Sequence, residues 1–427
     1  MAELDLTPRQ RQRAALAALL GNALEWYDFA VYGYVASDLG RVFFPADVPG
    51  LQTLAAFGVF AVGYLMRPIG SVVLGPLGDL LGRRLMLSLS IVIMGLSSLL
   101  IGLLPTHAQI GMAAGTLLVL LRMLQGFSVG AEFTGSITYA TEAAASGRAG
   151  YLSSLAVAGG LLGFSLGSLT AALIGWILDP AAMASWGWRL PFLLGAAVAV
   201  MGLWMRQGMP ETLSALDERP RLTHLDQLGA AVVEQLVQVM GQWRLVLQVM
   251  GLVTFANVIF YLAFVYLVDL TSQGSGQPAA ANTIATVIQT AGLFLVIWGG
   301  YLADRYGMKP VNRWGNALLV LLAPVALLIG LQGRLMPLAM AQLVLVAPVM
   351  VTMGAQGVLG VLLVPERQRC SVFSIAYSLA MALFAGTAPL VASWLAGQQW
   401  SAWIVPYTLI YGVAALITVQ RIRSPAA

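Results

Sequence analysis

The stretch Gly75-Pro76-Leu77-Gly78-Asp79-Leu80-Leu81-Gly82-Arg83-Arg84 returns later in the chain as Gly300-Tyr301-Leu302-Ala303-Asp304-Arg305-Tyr306-Gly307-Met308-Lys309. Glycine, aspartate, glycine and a base keep their places in the two copies: Asp304 stands 225 positions after Asp79, and Lys309 stands 225 after Arg84. Each copy follows an apolar run of helix length, so each reads as the tight turn between two membrane helices. A turn repeated in this way predicts two halves built on one plan, with a solute site near the bilayer midplane between them. The glycines permit the turn, and the aspartate can accept hydrogen bonds from a helix N-terminus or pair with an arginine. A plain solvated turn is the other reading of these residues.

Composition sets the solvent. The 427 residues are 59% hydrophobic and only 9% charged, where a soluble protein carries about 25% charged residues. The 46 glycines and 19 prolines suit packed membrane helices, which tolerate both. Apolar runs fall near 14–37, 51–74, 85–104, 109–137, 149–178 and 190–207, then 243–268, 280–302, 311–331, 335–363, 371–396 and 403–420. The expectation is an all-α membrane protein of twelve transmembrane helices in two pseudo-symmetric six-helix bundles. Residues 1–206 and 243–427 form the halves, and the polar stretch 207–242 links them.

The bases in the loops orient the chain. With the N-terminus inside, all of them except Arg41, Arg189 and Arg334 gather on the cytoplasmic side, which predicts cytoplasmic termini. That distribution explains the net charge of +4 without any nucleic-acid partner. The polar start, Met1 to Arg13, leads into a full-length run with no small-residue cleavage site, so no removable signal peptide is expected. The lone cysteine, Cys370, excludes an internal disulfide, and His107 and His224 lie outside the apolar runs. No metal site and no cofactor is expected.

The first apolar run holds Gly21-Asn22-Ala23-Leu24-Glu25-Trp26-Tyr27-Asp28-Phe29. An acid in mid-membrane costs about 2.5 to 3.5 kcal/mol on the insertion scale, so it marks an ion or substrate path or a structural ion pair. Glu25 and Asp28 share a helix face by their spacing. Arg122, near the middle of the fourth run, is the natural partner of one of them, because a lone buried guanidinium is costly. Glu132 stands ten residues beyond Arg122, about 15 Å along a helix, too far for a contact within it. Arg67 adds a second intramembrane cation to the first half, and the second half has no base within a run beyond its first few residues. It offers Phe255, Asn257, Phe260, Tyr261, Phe264 and Tyr266 instead, with Gln289, Gln356 and Tyr377 on other runs. Aromatic rings can hold a quaternary ammonium while an arginine takes a carboxylate. A zwitterion such as betaine or proline therefore fits at least as well as a dicarboxylate, and a tricarboxylate fits less well. Packing or lipid contact is the ordinary alternative for such aromatics.

The duplicated turn resembles the loop signature of the major facilitator superfamily, and Arg122-Met123-Leu124-Gln125-Gly126-Phe127-Ser128-Val129-Gly130-Ala131-Glu132 resembles the arginine motif of its fourth helix. A narrower resemblance, over nearly the whole chain, is to the metabolite:proton symporter family, which includes bacterial carriers of citrate, α-ketoglutarate, shikimate, proline and betaine. Its residues here are Gly21-Asn22 with Glu25 to Phe29; Phe43-Phe44-Pro45; Arg67-Pro68-Ile69-Gly70; the fourth-run motif; Trp186 to Phe192; Glu211-Thr212; Phe373 to Tyr377; and Gly386-Thr387-Ala388-Pro389. Before the eleventh run the family shows an acid, an aromatic and proline; here Leu362-Leu363-Val364-Pro365 lacks the acid, and Glu366 is its nearest substitute.

The resemblance implies a proton-coupled symporter of the bacterial inner membrane, acting as a monomer, that imports a small carboxylate-bearing solute by alternating access. It assigns the cytoplasmic gate to Gly75, Asp79, Gly82, Arg83, Arg84, Glu142, Arg148, Asp304, Arg305 and Lys309. Solute and proton then fall to Glu25, Tyr27, Asp28, Arg67, Arg122, Gln125, Glu132, Asn257, Tyr261, Gln289, Gln356 and Tyr377. Glu25, Asp28 and Glu132 are all open as the titrating group, and sodium is the alternative coupling ion. An efflux antiporter of the same fold and a membrane receptor are the rival functions; an enzyme is not expected.

Overall fold

The computed structural model describes residues 8–44, 51–207 and 225–422, and every regular element among them is helical. Pro45, Glu211-Thr212, His224 and residues 1–7 and 423–427 lie outside the described residues. The helices of eight or more residues in the first set are α1 (Pro8–Tyr34), α2 (Ala36–Phe43), α3 (Leu51–Leu81), α4 (Arg83–Leu103), α5 (Ala113–Glu142), α6 (Ala149–Ile177) and α7 (Leu190–Gln207). After α8 (Leu225–Gly241) come α9 (Trp243–Tyr261), α10 (Leu267–Ser275), α11 (Pro278–Tyr306), α12 (Met308–Gly330), α13 (Leu335–Leu363), α14 (Arg369–Ala380), α15 (Ala388–Gly397) and α16 (Ile404–Arg421). Ten stretches among the described residues are long and apolar enough to cross a bilayer. They coincide with the third to twelfth expected runs, and α1 and α3 cover the first two. Residues 225–241 of the expected linker are helical and rest on α3, α9 and α14.

The molecule is turned inside out relative to a soluble protein. Phe294, Leu321 and Leu390 are exposed, whereas Glu25, Asp28, Arg67, Arg122 and Glu132 are buried. Hydrocarbon solvates the first group, and burial against other helices spares the second group the cost of meeting lipid.

Small residues set the helix spacing. A Cβ on Gly126 of α5 would stand 2.0 Å from the carbonyl oxygen of Gly63 on α3, and one on Gly130 would stand 2.2 Å from that of Arg67. Gly159 and Gly163 of α6 bring α1 equally close, at 2.1 Å from Leu19 O and 2.4 Å from Ala23 O. Such contacts place backbone on backbone, where dispersion and packing drive association in lipid. Gly126→Ala should therefore destabilise the fold by about 1–3 kcal/mol, as overpacking does. Thermal unfolding in detergent reads this, with Gly229→Ala on α8, where the added carbon meets nothing within 4 Å, as the neutral control.

The first and second sets of helices meet where α3 and α5 pack on α14 and where α6 packs on α11 and α13. Gly150 and Gly300 face each other across the second seam, each leaving room only for the other's carbonyl. The repeated turns have the same backbone: Gly82 (φ 111°) and Gly307 (φ 93°) each stand one residue before a helix, α4 and α12. That left-handed region is strained for any residue with a Cβ, which explains why the two copies share this glycine. Two helices are interrupted by π-helical turns, Leu262–Tyr266 between α9 and α10, and Met381–Ala385 between α14 and α15. Such turns are frequent at functional sites.

Candidate solute site and gate

Tyr261, the residue before the first π turn, and Met381, the first residue of the second, border a cavity between the two sets of helices. Trp26 of α1, Phe133 of α5 and Phe164 of α6 face Asn257, Phe260, Tyr261, Met353, Tyr377 and Met381 across about 420 Å³ of empty space, its open mouth included. A smaller space of about 230 Å³ shares Phe133, Met353 and Tyr377 and adds Gln356, whose Oε1 is buried with no hydrogen-bond partner among the described residues. The rings form a continuous wall. Trp26 meets Phe133 edge-on at 5.7 Å and Phe164 at 5.2 Å, and Phe133 lies 5.3 Å from Tyr377.

Behind that wall stands Arg67. Its guanidinium carbon lies 5.0 Å from the Trp26 ring centre and 5.7 Å from that of Tyr64. The side chain is buried, and its Nε and Nη1 have no hydrogen-bond partner among the described residues. No carboxylate among them reaches ion-pair distance of it. Cation–π contact offsets part of the burial cost, but an anion at this point would offset far more. Tyr64 O–H also lies 3.5 Å from Tyr261 O–H, so this corner of the cavity joins the two sets of helices.

A second polar cluster lies deeper in the first set. Arg122 Nη1 donates to Gln125 Oε1, Gln125 Nε2 donates to Ser98 Oγ, and Ser98 Oγ donates to Asp28 Oδ2, each at 2.8 Å. Arg122 also lies over the rings of Phe29 and Tyr32, at 4.5 and 4.2 Å. The other Asp28 oxygen, Oδ1, is buried without a hydrogen-bond partner among the described residues, in the space that Gly195 leaves by lacking a side chain. The expected pairing of Arg122 with an acid of α1 thus reaches Asp28 through two intermediaries.

The remaining candidates separate clearly. Asn257, Tyr261 and Tyr377 line the larger cavity, with Tyr377 O–H donating towards Asn257 Oδ1 at 3.5 Å. Gln356 lines the smaller one, whereas Gln289 on α11 lines neither. Tyr27 turns away, its hydroxyl donating to the Pro191 carbonyl at 3.1 Å. Glu25 and Glu132 are buried without lining either space, although Glu25 lies within electrostatic reach of Tyr377. Of the second-half aromatics, Phe255 packs against Gly412 rather than on the cavity. Sequence reasoning missed Trp26, Phe133, Phe164, Met353, Met381 and Ser98. The run Gly159-Gly160 with Gly163 carried a signal for Trp26, because a Cβ on Gly160 would meet its indole at 2.9 Å.

The repeated turns close one face. Asp79 accepts from Arg83, from the backbone N–H of Cys370 at 3.1 Å and Ser371 at 2.8 Å, and from the Ser371 hydroxyl. The carboxylate therefore caps the N-terminus of α14, where the helix dipole favours negative charge. Arg83 is fully buried and also bonds Glu142, which in turn meets Arg369 at 3.4 Å. Glu366 joins through its carbonyl, which accepts from Arg83 Nη2 at 3.1 Å. In the second copy Asp304 accepts from the N–H groups of Gly150 at 2.6 Å and Tyr151 at 2.8 Å, at the start of α6, where Arg148 precedes it. Lys309 does not join that cluster: it donates to the carbonyls of Gln420 and Ile422 at the end of α16. Arg305 bonds Tyr301 and lies over Tyr306, and Arg84 is exposed. Gly75 and Gly82 serve by size and conformation, Gly75 bringing Ser371 within 3.0 Å of where its Cβ would be.

A family profile described as Major Facilitator Superfamily matches residues 15–364. The chain belongs to the major facilitator superfamily. It is a multi-pass membrane transporter and not an enzyme. Among curated relatives of this superfamily member, the proline/betaine transporter of Escherichia coli K12 is 34% identical over 97% of the chain and 84% of the relative. The glycine betaine/proline/ectoine/pipecolic acid transporter of Dickeya dadantii is 33% identical, covering 95% and 82%. Among solved structures, a proton:xylose symporter bound to 6-bromo-6-deoxy-D-glucose superposes with a TM-score of 0.75 at 17% identity, covering 97% of this chain and 95% of that one. That likeness supports the fold.

Within this major facilitator protein one helix joins the cavity to the closed face. On α14, Cys370 and Ser371 meet Asp79, Ser374 bonds Thr134 at 2.6 Å, Ser378 accepts from Ser71 at 2.6 Å, and Tyr377 lines the cavity. Ten residues separate Ser371 from Met381, about 15 Å of helix. A rigid element of that length cannot move at one end alone.

Proposed function

We propose that this protein is a proton-coupled symporter importing a small carboxylate-bearing zwitterion of the betaine and proline kind. It works by alternating access between two six-helix bundles, with α1 and α3 completing twelve spans and both termini in the cytoplasm. The observation that carries the reading is Arg67, a buried cation without a carboxylate partner among the described residues, set against the Trp26 wall of an aromatic cavity. Carboxylate at Arg67 and ammonium among the rings complement both features. The names of the relatives support the same solute class. The proton falls to a carboxylate of the first half, and the Asp28–Ser98–Gln125–Arg122 chain supports Asp28 as its seat. The clusters around Asp79 and Asp304 are the gate, closed here on the cytoplasmic side.

Counterflow of labelled betaine in proteoliposomes tests the assignment. Uptake should follow an imposed proton gradient and be indifferent to sodium; strict sodium dependence would replace the coupling ion, and absence of counterflow would remove the transport reading. Trp26→Leu should weaken betaine binding about 5- to 30-fold, the equivalent of the 1–2 kcal/mol of a desolvated cation–π contact. Proline, whose ammonium is less spread over its methylenes, should lose less. Equal affinity of mutant and wild type for betaine would take Trp26 out of the site.

A further inference from the structure

A helix outside the solute path is fastened to the gate. On its inner face α8 buries Gln235 and Val239. Gln235 Nε2 donates to the Arg367 carbonyl at 3.2 Å, Gln238 Oε1 accepts from Gln368 Nε2 at 2.8 Å, and Gln242 Nε2 donates to Gln368 Oε1. Those bonds hold the turn Glu366–Gln368. The same turn offers its Glu366 carbonyl to Arg83 and leads directly into Cys370 and Ser371, which bond Asp79.

The opposite face of α8 is apolar and bare. Val233, Val237 and Met240 are 60%, 63% and 75% exposed, and their spacing of four and three places them on one side of the helix. This stripe runs into Trp243, at the first position of α9, and one turn later into exposed Leu247, which begins the lipid-facing surface of that span. Tryptophan at such a position marks the boundary between lipid and water. Arg244, beside the Trp243 ring at 5.5 Å, sets positive charge at the end of the stripe. An apolar stripe continuous with a transmembrane surface and ending at a tryptophan and a base matches an anionic leaflet.

We propose that α8 lies with its Val233–Val237–Met240 face in the headgroup region of the cytoplasmic leaflet and, through its glutamines, holds the turn that keeps the Asp79 gate shut. The lipid surface is then a regulatory partner of the gate. The inference concerns the closed face alone, so it stands or falls separately from the identity of the solute and of the coupling ion.

Two measurements in nanodiscs containing phosphatidylglycerol decide it. A nitroxide on Val237→Cys in a Cys370→Ala background should collide with oxygen and be shielded from a water-soluble nickel relaxant. Free access to nickel would place the stripe in water, and shielding from both reagents would place a protein there; either result overturns the proposal. In the otherwise native chain, Cys370 is the sole cysteine and is buried in the gate, so its alkylation by N-ethylmaleimide reads gate opening. Val237→Glu with Met240→Glu should speed that alkylation about tenfold, and so should Gln238→Ala with Gln242→Ala, because each loosens a local opening unit. Wild-type rates in either pair would overturn the coupling, and the nitroxide result remains decisive if a charged variant fails to fold.

Discussion

Methionine in place of Arg67 should weaken betaine binding by at least about 30-fold while leaving the empty protein folded and no less heat-stable than wild type. Arg67 is buried with two guanidinium nitrogens unbonded and no carboxylate at ion-pair distance among the described residues. An uncompensated buried cation costs stability, so an apolar side chain of similar volume is neutral or stabilising there. The bound state reverses the sign. Truncating one partner of a buried charge pair costs about 2–5 kcal/mol, which is roughly 30- to 5,000-fold in affinity. Isothermal titration gives the affinity, and the thermal shift produced by betaine should disappear with it, since a ligand stabilises only in proportion to its occupancy. Arg67→Lys keeps the charge but loses the planar stack on Trp26 and Tyr64, and it should fall between the two. A methionine variant that binds betaine within threefold of wild type would end the assignment of Arg67 to the carboxylate. One that unfolds would instead mean that the cation–π contacts are structural.

The architecture was written in the sequence most plainly where chemistry leaves no choice. Gly82 and Gly307 both need a positive φ, so the duplicated turn survived in readable form and marked equivalent places in the two halves. Acids in an apolar run also had to be buried, and Glu25, Asp28 and Glu132 are. Which neighbours they meet was not legible. Periodicity says that Glu25 and Asp28 share a face of α1, but the rotation of that face is set by glycines of α6 and α7 more than 130 residues away. The same rotation carries Trp26 into the cavity wall and Tyr27 towards Pro191. A repeat likewise identifies corresponding residues without identifying their partners. Lys309 corresponds to Arg84, yet it caps the carbonyl end of α16, where a cation suits the helix dipole. Gln289 shows the limit of reasoning by residue type: an amide within a predicted span is as easily placed at a packing seam as in a cavity.

The two copies of the turn should also differ in how much they matter, although their sequences match. Asparagine for Asp79 keeps the size of the side chain and removes its charge, with one of its two oxygens replaced by a donor facing other donors. Arg83, fully buried, loses one of its two carboxylates, and the N-terminus of α14 loses its anionic cap. Breaking a buried pair in this way costs about 3–5 kcal/mol, a shift of roughly 100- to 5,000-fold away from the closed state. Turnover that must pass through that state should fall by at least about a hundredfold, while equilibrium binding of betaine changes much less, because the cavity lies about 15 Å further along α14. Asp304 is only half-buried and accepts from two backbone N–H groups, with Lys309 engaged elsewhere. Asparagine retains one of those bonds, so the cost is about 1 kcal/mol and the loss of turnover about fivefold. Counterflow rates of the two variants, each paired with the alkylation rate of Cys370, measure the difference. Equal losses would mean that the second turn holds the gate as firmly as the first, and unchanged turnover in Asp79→Asn would mean that neither turn is a gate. The unequal result is expected because α14 carries cavity wall, hydroxyl seam and Asp79 contact on one rigid helix, and α6, held by Asp304, presents only apolar side chains to the solute.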